Sequence, residues 1–166
     1  MHKHIWIIIL GLLIGFATSK KPVNYNDDNS LKLSFSTDTV TFDTVFTTIG
    51  SSTRQLMIYN DNDDNIKISS IRLEAGNQSQ FTINVDGESG YDFSDVEIFA
   101  KDSIFVFVRV TVNPDNQNTP FFIEDKLIFE TNNNTQYVSL TAYGQNANYI
   151  IADQHINGFP KYKIIA

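Results

Sequence analysis

Between Ser103 and Val112, apolar side chains recur at every second position: Ile104, Val106, Val108, Val110 and Val112. A period of two places them on one face of an extended strand and cannot be laid out as a helical stripe. Phe105 and Phe107 make the opposite face apolar too, as expected of a strand in the middle of a sheet. Asn113-Pro114-Asp115 ends the run, because proline donates nothing to a strand ladder.

The same alternation is repeated along the chain. Leu31, Leu33 and Phe35 are followed by Val40 and Phe42, then Val45 and Phe46 after an Asp-Thr step. Leu56 and Ile58 share a face, and Asn60 to Asn65 reads as a turn. Ile66 and Ile68 give way to Ile71 and Leu73, a one-residue slip at Ser69-Ser70 that predicts a β-bulge. Phe81, Ile83 and Val85 stop at Asp86-Gly87, and Val96, Ile98 and Phe99 stop at Lys101-Asp102. Phe121, Ile123, Leu127 and Phe129 lead through Asn132-Asn133-Asn134 to Val138, Leu140 and Ala142. No segment holds a 3.6-residue period, and the chain is rich in Asn, Asp, Thr, Ser, Val, Ile and Phe but poor in Ala, Leu and Glu. The expectation is an all-β chain in which seven to eight short strands form an antiparallel β-sandwich over residues 31–146. With 42% hydrophobic residues, 13 Phe and 7 Tyr, there is ample material for one core.

The start of the chain has a different logic. His2, Lys3 and His4 precede an apolar run from Ile5 to Ile14, and Ala17-Thr18-Ser19 precedes Lys20-Lys21-Pro22. This is the pattern of a secretory signal peptide over residues 1–19, with cleavage after Ser19. The run is shorter than the roughly 20 residues that span a bilayer. Residues 20–30 are polar and aperiodic and read as a linker. Residues 147–166 stand apart: ANYIIA is apolar, Asn157-Gly158 and Pro160 punctuate the segment, and Ile164-Ile165-Ala166 is apolar again. They read as an extra strand, or as the beginning of something that continues or docks elsewhere.

Several chemistries are excluded by residue type. The formal charge is −7, and removal of Lys3 with the signal leaves 11 basic against 19 acidic residues, or −8. Such a surface repels phosphate backbones, so neither nucleic acid nor a basic-patch membrane contact is expected. There is no cysteine, hence no disulfide, thiolate metal site or thiol nucleophile. His155 is the sole histidine beyond the signal, too few for a metal site or a triad. The Asp61-Asn62-Asp63-Asp64-Asn65 loop alternates oxygen ligands, but Ile66 and Arg72 occupy the positions where an EF-hand needs Gly and Glu; a hairpin turn is the simpler reading. Glu74, Glu88, Asp95, Glu97, Glu124 and Glu130 are glycosidase candidates by type alone, and Glu124 and Glu130 alternate with apolar residues as a solvated face does. No phosphate loop, nucleophile elbow or metalloprotease motif is present. Phe105, Phe107, Phe121, Phe122, Phe129, Tyr137 and Tyr143 are mostly core material, but not all can point inward, and Phe121-Phe122 places two rings on opposite faces.

TVTFDTVF, MIYNDNDDNIKISSIRL, KDSIFVFVRVTVNP and LIFETNNNTQYVSLTAYGQ, in that order, resemble the N-terminal domain of Bacteroidota envelope proteins. In that family an immunoglobulin-like module of the major-sperm-protein-like class precedes a right-handed parallel β-helix. The resemblance covers roughly residues 31–152, and the 147–166 tail is similar to the lead-in to the β-helix. It implies an immunoglobulin-like sandwich in a truncated relative or a fragment, exported to the periplasm, outer membrane or cell surface. Family members are mostly predicted lipoproteins of unassigned function. This chain departs from them at Ser19, where a lipoprotein carries Cys, so membrane association is indirect unless Ser19 replaces a Cys. Thr39, Thr44 and Ser103 each follow Asp and precede an aliphatic residue, similar to the O-glycan acceptor of Bacteroidota envelopes; the composition also produces such triplets by chance. The Asn77-Gln78-Ser79 and Asn133-Asn134-Thr135 triplets match a eukaryotic pattern and carry no weight in a bacterium.

The expected function is a non-catalytic envelope module, without cofactor or metal, that binds a protein or spaces a larger surface domain. Tyr149, Ile150, Ile151, Ile164 and Ile165 are its candidate partner contacts. The alternative is a carbohydrate-binding module of a glycan-processing system. In the native host the mature chain is expected to begin at Lys20, with any glycan mass on Thr39, Thr44 or Ser103. Intact-mass and peptide mass spectrometry of the envelope fraction read both, and a cytosolic chain that keeps Met1 overturns the export reading.

Overall fold

The computed structural model describes residues 23–47, 50–51, 53–113, 120–146 and 154–161. Twelve strands follow in order: β1 (Ser34–Phe35), β2 (Thr39–Phe46), β3 (Arg54–Tyr59), β4 (Ile66–Leu73), β5 (Phe81–Val85), β6 (Glu88–Gly90), β7 (Asp92–Ile98), β8 (Ser103–Val110), β9 (Phe121–Thr131), β10 (Asn134–Gln145), β11 (Gln154–Ile156) and β12 (Phe159–Lys161). A single 3₁₀ turn, Gly76–Gln78, is the only helical element among the described residues. Among these residues no helix is long and apolar enough to cross a membrane.

Ten of the strands form two five-stranded sheets, β1-β3-β8-β5-β6 and β2-β10-β9-β4-β7. The chain is an immunoglobulin-like β-sandwich. It differs from the expected layout in two respects. First, β1 and β6 are two and three residues long, too short to leave a period in the sequence, so the strand number is higher than alternation indicates. Second, β2 lies parallel to β10, Thr39 beside Ser139 through Phe46 beside Gln145, while every other pairing is antiparallel. These are the first long strand and the last strand of the sandwich, far apart in sequence, so no hairpin forces them to run opposite ways.

The alternation lands as expected. Leu56 and Ile58 of β3, Val106, Val108 and Val110 of β8, and Phe81, Ile83 and Val85 of β5 point inward from the first sheet. Ile66, Ile68, Ile71 and Leu73, with Leu127, Phe129, Val138, Leu140 and Ala142, meet them from the second. Two ring pairs join strands of opposite sheets, Phe42 with Phe81 at 6.0 Å and Phe35 with Phe129 at 4.8 Å between centroids. The bulge read at Ser69-Ser70 is present as a register shift between β4 and β9, and the Ser69 hydroxyl donates to the Glu130 carbonyl across it at 2.7 Å. A second shift, between Thr141 and Tyr143 of β10 where they face Thr41 and Thr44 of β2, exposes Asp43 and Thr44 together and returns Val45 to the core.

The tight turns are where the sequence placed them. Asp86-Gly87, Asn132-Asn133 and Asn157-Gly158 each close a two-residue hairpin with both residues at positive φ, the geometry that matches strand twist and favours Asn, Asp and Gly. The third joins β11 and β12 into a separate small hairpin inside the 147–166 tail.

One buried amide organises an end of the sandwich. Asn60 is almost fully buried, and its Nδ2 donates to the carbonyls of Asp64, Ile98 and Phe99 at 2.8, 3.2 and 3.0 Å. Its Oδ1 accepts from the Asn62 N–H and side-chain amide at 3.1 and 2.9 Å. The polar segment before β1 is held beside this end. Asn65 donates to the Asn24 carbonyl, Asn132 to the carbonyls of Asp28 and Leu31, and Asn134 to that of Asn29. The Tyr25 hydroxyl bonds the Glu97 carboxylate, and that bond, with desolvation and the Glu97 charge, pushes it up to about 12. Asn60→Ala removes one donor from each of three carbonyls inside the fold, and the expected loss is about 1–3 kcal/mol. Urea unfolding followed by tryptophan-independent far-UV signal checks it; an unchanged midpoint means that water replaces the amide.

Candidate functional site

With both lateral margins of the sandwich occupied by strands, functional chemistry has two broad surfaces available, the outward faces of the two sheets. On the second sheet, Phe122 of β9 and Tyr143 of β10 are directly opposite each other, with ring centroids 5.3 Å apart. They are 52% and 51% exposed. Phe46, at the end of β2 and diagonal to Tyr143, is 46% exposed. Scattered exposed aromatics are ordinary, but three at one end of one face form an apolar patch of the kind that marks an interaction surface.

Elsewhere on that face three ion pairs join neighbouring elements. Lys126 reaches Glu74 at 3.1 Å, Arg72 reaches Glu130 at 3.2 Å, and Lys67 reaches Glu97 at 3.6 Å. Glu74's hydrogen bond and charge hold Lys126 above the usual lysine range, and its ammonium also sits 5.7 Å from the Tyr137 ring. Glu74, Glu97 and Glu130, glycosidase candidates by type, are therefore each engaged by a cation on a solvated surface. Glu88, Asp95 and Glu124 are exposed. The arrangement is that of cross-strand ion pairs, each worth little in water.

The first sheet's outward face is different. Phe105 and Phe107 of β8 sit with ring centroids 5.0 Å apart. Met57 lies beside Phe105, and Gln55 and Asn84 flank Phe107 from the two neighbouring strands. Phe105 is 45% exposed, so the second apolar face of β8 is an open platform, not the buried layer that a central strand in a helix-covered sheet would have. Next to it Thr53, Thr82, Asn84, Ser89, Phe107 and Arg109 line a groove of about 600 Å³.

Sequence-predicted sites fall as follows. Thr39 opens β2, half-buried, with its N–H bonded to the Thr37 hydroxyl. Thr44 is exposed on the β2 bulge, and Ser103 is half-buried at the start of β8. In both, the preceding Asp accepts the residue's own N–H at 2.7 Å. The fold puts Thr39 and Thr44 on one strand and Ser103 in the other sheet. Ser19, Tyr149, Ile150, Ile151, Ile164 and Ile165 lie outside the described residues. The Asp61–Asn65 loop is tied down by neighbours: Asn26 donates to Asp64, and Lys101 pairs with Asp63 at 2.9 Å and donates to the Asp61 carbonyl. Among the described residues there is no cluster of three or more acidic or histidine side chains placed to hold a metal. Sequence reasoning missed Phe46, Met57, Gln55 and Arg109. The available signal was their position one residue out of phase with the core set.

No family model matches the sequence, and no curated protein matches it. Among solved structures the chain is similar to a Porphyromonas gingivalis protein of unknown function, at 10% identity and a TM-score of 0.50 over 69% of this chain. The match spans about half of that protein, 48% of its length. It is also similar to a PapD-like domain of human CEP192 (12% identity, TM-score 0.42, 78% of this chain and 94% of that one). A third similarity is to the E. coli chaperone DraB (10% identity, TM-score 0.42, 70% and 55%). At such identities the likeness concerns the fold alone.

If the patch on the second sheet serves contact and not folding, its removal should be cheap. The double substitution Phe122→Ser/Tyr143→Ser is expected to cost about 1 kcal/mol, the worth of an exposed aromatic pair. Denaturant titration checks this; a loss of several kcal/mol assigns the rings to the core.

Proposed function

We propose that this protein is a non-catalytic module of the bacterial envelope, exported through residues 1–19, whose sandwich binds a protein partner and spaces what it is attached to. The observation that carries the reading is the Phe46, Phe122 and Tyr143 patch at one end of an otherwise ion-paired face. Burying three half-exposed rings stabilises a complex, while the surrounding ion pairs form a polar rim.

The non-catalytic reading is supported by the chemistry of the side chains: a single histidine beyond the signal, no cysteine, and carboxylates engaged by cations across strands. Membership of the Bacteroidota envelope family is supported by the ordered motifs and by the structural likeness to the Porphyromonas gingivalis protein, which is about twice as long as the matched region. On this reading the units are a signal (1–19), a polar linker (20–30), the sandwich (31–146) and a segment that is a C-terminal tail or the start of a β-helix (147–166). The sugar-binding alternative draws on the other face, around Phe105 and Phe107.

Tagged protein purified from the native envelope fraction is expected to bring one stoichiometric envelope protein with it, and Phe122→Ser/Tyr143→Ser is expected to lose that protein while remaining folded. Mass spectrometry reads both. Recovery of the same partner by the double variant moves the contact elsewhere, and recovery of the wild type alone ends the docking role.

A further inference from the structure

Arg109 belongs, with Lys32 and Arg54, to the cations outside the ion pairs formed among the described residues. Arg72, Lys67, Lys101 and Lys126 each pair with a carboxylate. Arg109 takes part in none of the ion pairs formed among the described residues, although the chain carries a net charge of −7. Its strand position sets it on the outward face of β8, directly opposite Thr82 of β5 and two residues from Phe107. The guanidinium lies over the backbone at Gly50, where an added Cβ would come within 2.9 Å of Nη2. A guanidinium in that position lines the groove.

The rest of the groove suits a hydroxylated ligand. Thr53, Thr82 and Ser89 contribute hydroxyls that both donate and accept. Asn84 holds its amide in place through Ser89 at 3.2 Å and the Gly87 N–H at 3.2 Å. Phe107 contributes an aromatic ring to the lining, with the Phe105 ring tilted beside it. No carboxylate lines the groove among the described residues. A flat ring, paired donor–acceptor groups and one unneutralised, planar, bidentate cation together match a sugar ring that carries a carboxylate. An extended peptide would instead call for free strand edges or deep side-chain pockets, and this surface is the middle of a sheet.

We propose that the outward face of the first sheet, centred on Phe107 and Arg109, binds uronate-bearing saccharide, with Arg109 on the carboxylate, Phe107 under the sugar ring and Asn84 with Thr82 on the hydroxyls. The site is independent of the docking patch on the opposite sheet.

Isothermal titration of the mature chain with tetragalacturonate, its methyl ester and neutral maltotetraose tests the assignment, with amide chemical shifts to locate the contact. Tetragalacturonate is expected to bind, to weaken as salt is raised, and to perturb residues 82–84 and 107–109. The methyl ester and Arg109→Gln should each lower affinity by about tenfold or more, the worth of a charge-assisted bond. Arg109→Gln is a surface change and should leave the thermal midpoint unmoved, whereas Phe107→Ser serves as a second variant that removes the platform. The proposal is overturned if oligomers of galacturonate, glucuronate and mannuronate all give flat isotherms, if Arg109→Gln or maltotetraose binds as well as wild type with tetragalacturonate, or if the shifts map to Phe122 and Tyr143.

Discussion

Two segments of chain hold this sandwich together by belonging to both of its sheets. Residues 34–46 begin as β1, paired with β3, and end as β2, paired with β10. Residues 88–98 begin as β6, paired with β5, and end as β7, paired with β4. Each crosses from one sheet to the other along a lateral margin, so four sheet edges are made by two continuous stretches. An unpaired edge is a template for aggregation, and here the edge strands of the first sheet are kept to two and three residues. Local side chains set the crossing points. Ser36 accepts the Met57 N–H and Thr37 turns the chain into β2. At the other margin the Tyr91 carbonyl accepts from Leu73, and Gly90 leaves room for the Phe93 ring, 3.1 Å from where a Cβ would stand.

This double crossing explains which parts of the fold were legible in sequence. Long strands with one buried face, such as β8 and β9, announce themselves by period, and the β4 bulge announces itself by a slip in that period. The crossings do not. A two-residue strand has no period, and β7 exposes most of its side chains because it is an edge, so its alternation is thin. The parallel β2–β10 pair is invisible for a related reason: alternation fixes which face is buried but not which neighbour a strand takes. For the functional surfaces the limit was similar. The aromatic residues were identifiable, and so was the fact that some must point outward. Which of them gather on one face depends on cross-strand register, as with Phe122 opposite Tyr143, and register is a property of the pairing.

Asparagine has a structural role that composition alone presents as solubility. Asn60, Asn62, Asn65, Asn132 and Asn134 all donate to main-chain carbonyls, and each of the five reaches at least one acceptor distant in sequence. A neutral amide can satisfy a carbonyl at a turn without the cost of burying a charge. The Asn132-Asn133 hairpin also needs positive φ at both positions, which asparagine tolerates better than most residues. One residue type thus closes the turns and fastens the segment before β1.

With the margins closed and one end tied by amides, the two broad faces are left to differ in charge. The second sheet pairs most of its outward charges and leaves an apolar patch. On the outward face of the first sheet Arg109 stands outside the ion pairs formed among the described residues, in a molecule of charge −7. At distances beyond a Debye length of about 8 Å at physiological salt, an approaching anion meets little of either field. Closer in, the net charge opposes it and Arg109 attracts it, so a gain appears only when the carboxylate is in contact with the guanidinium. Recognition of that kind is short-ranged, geometrically selective and modest in affinity.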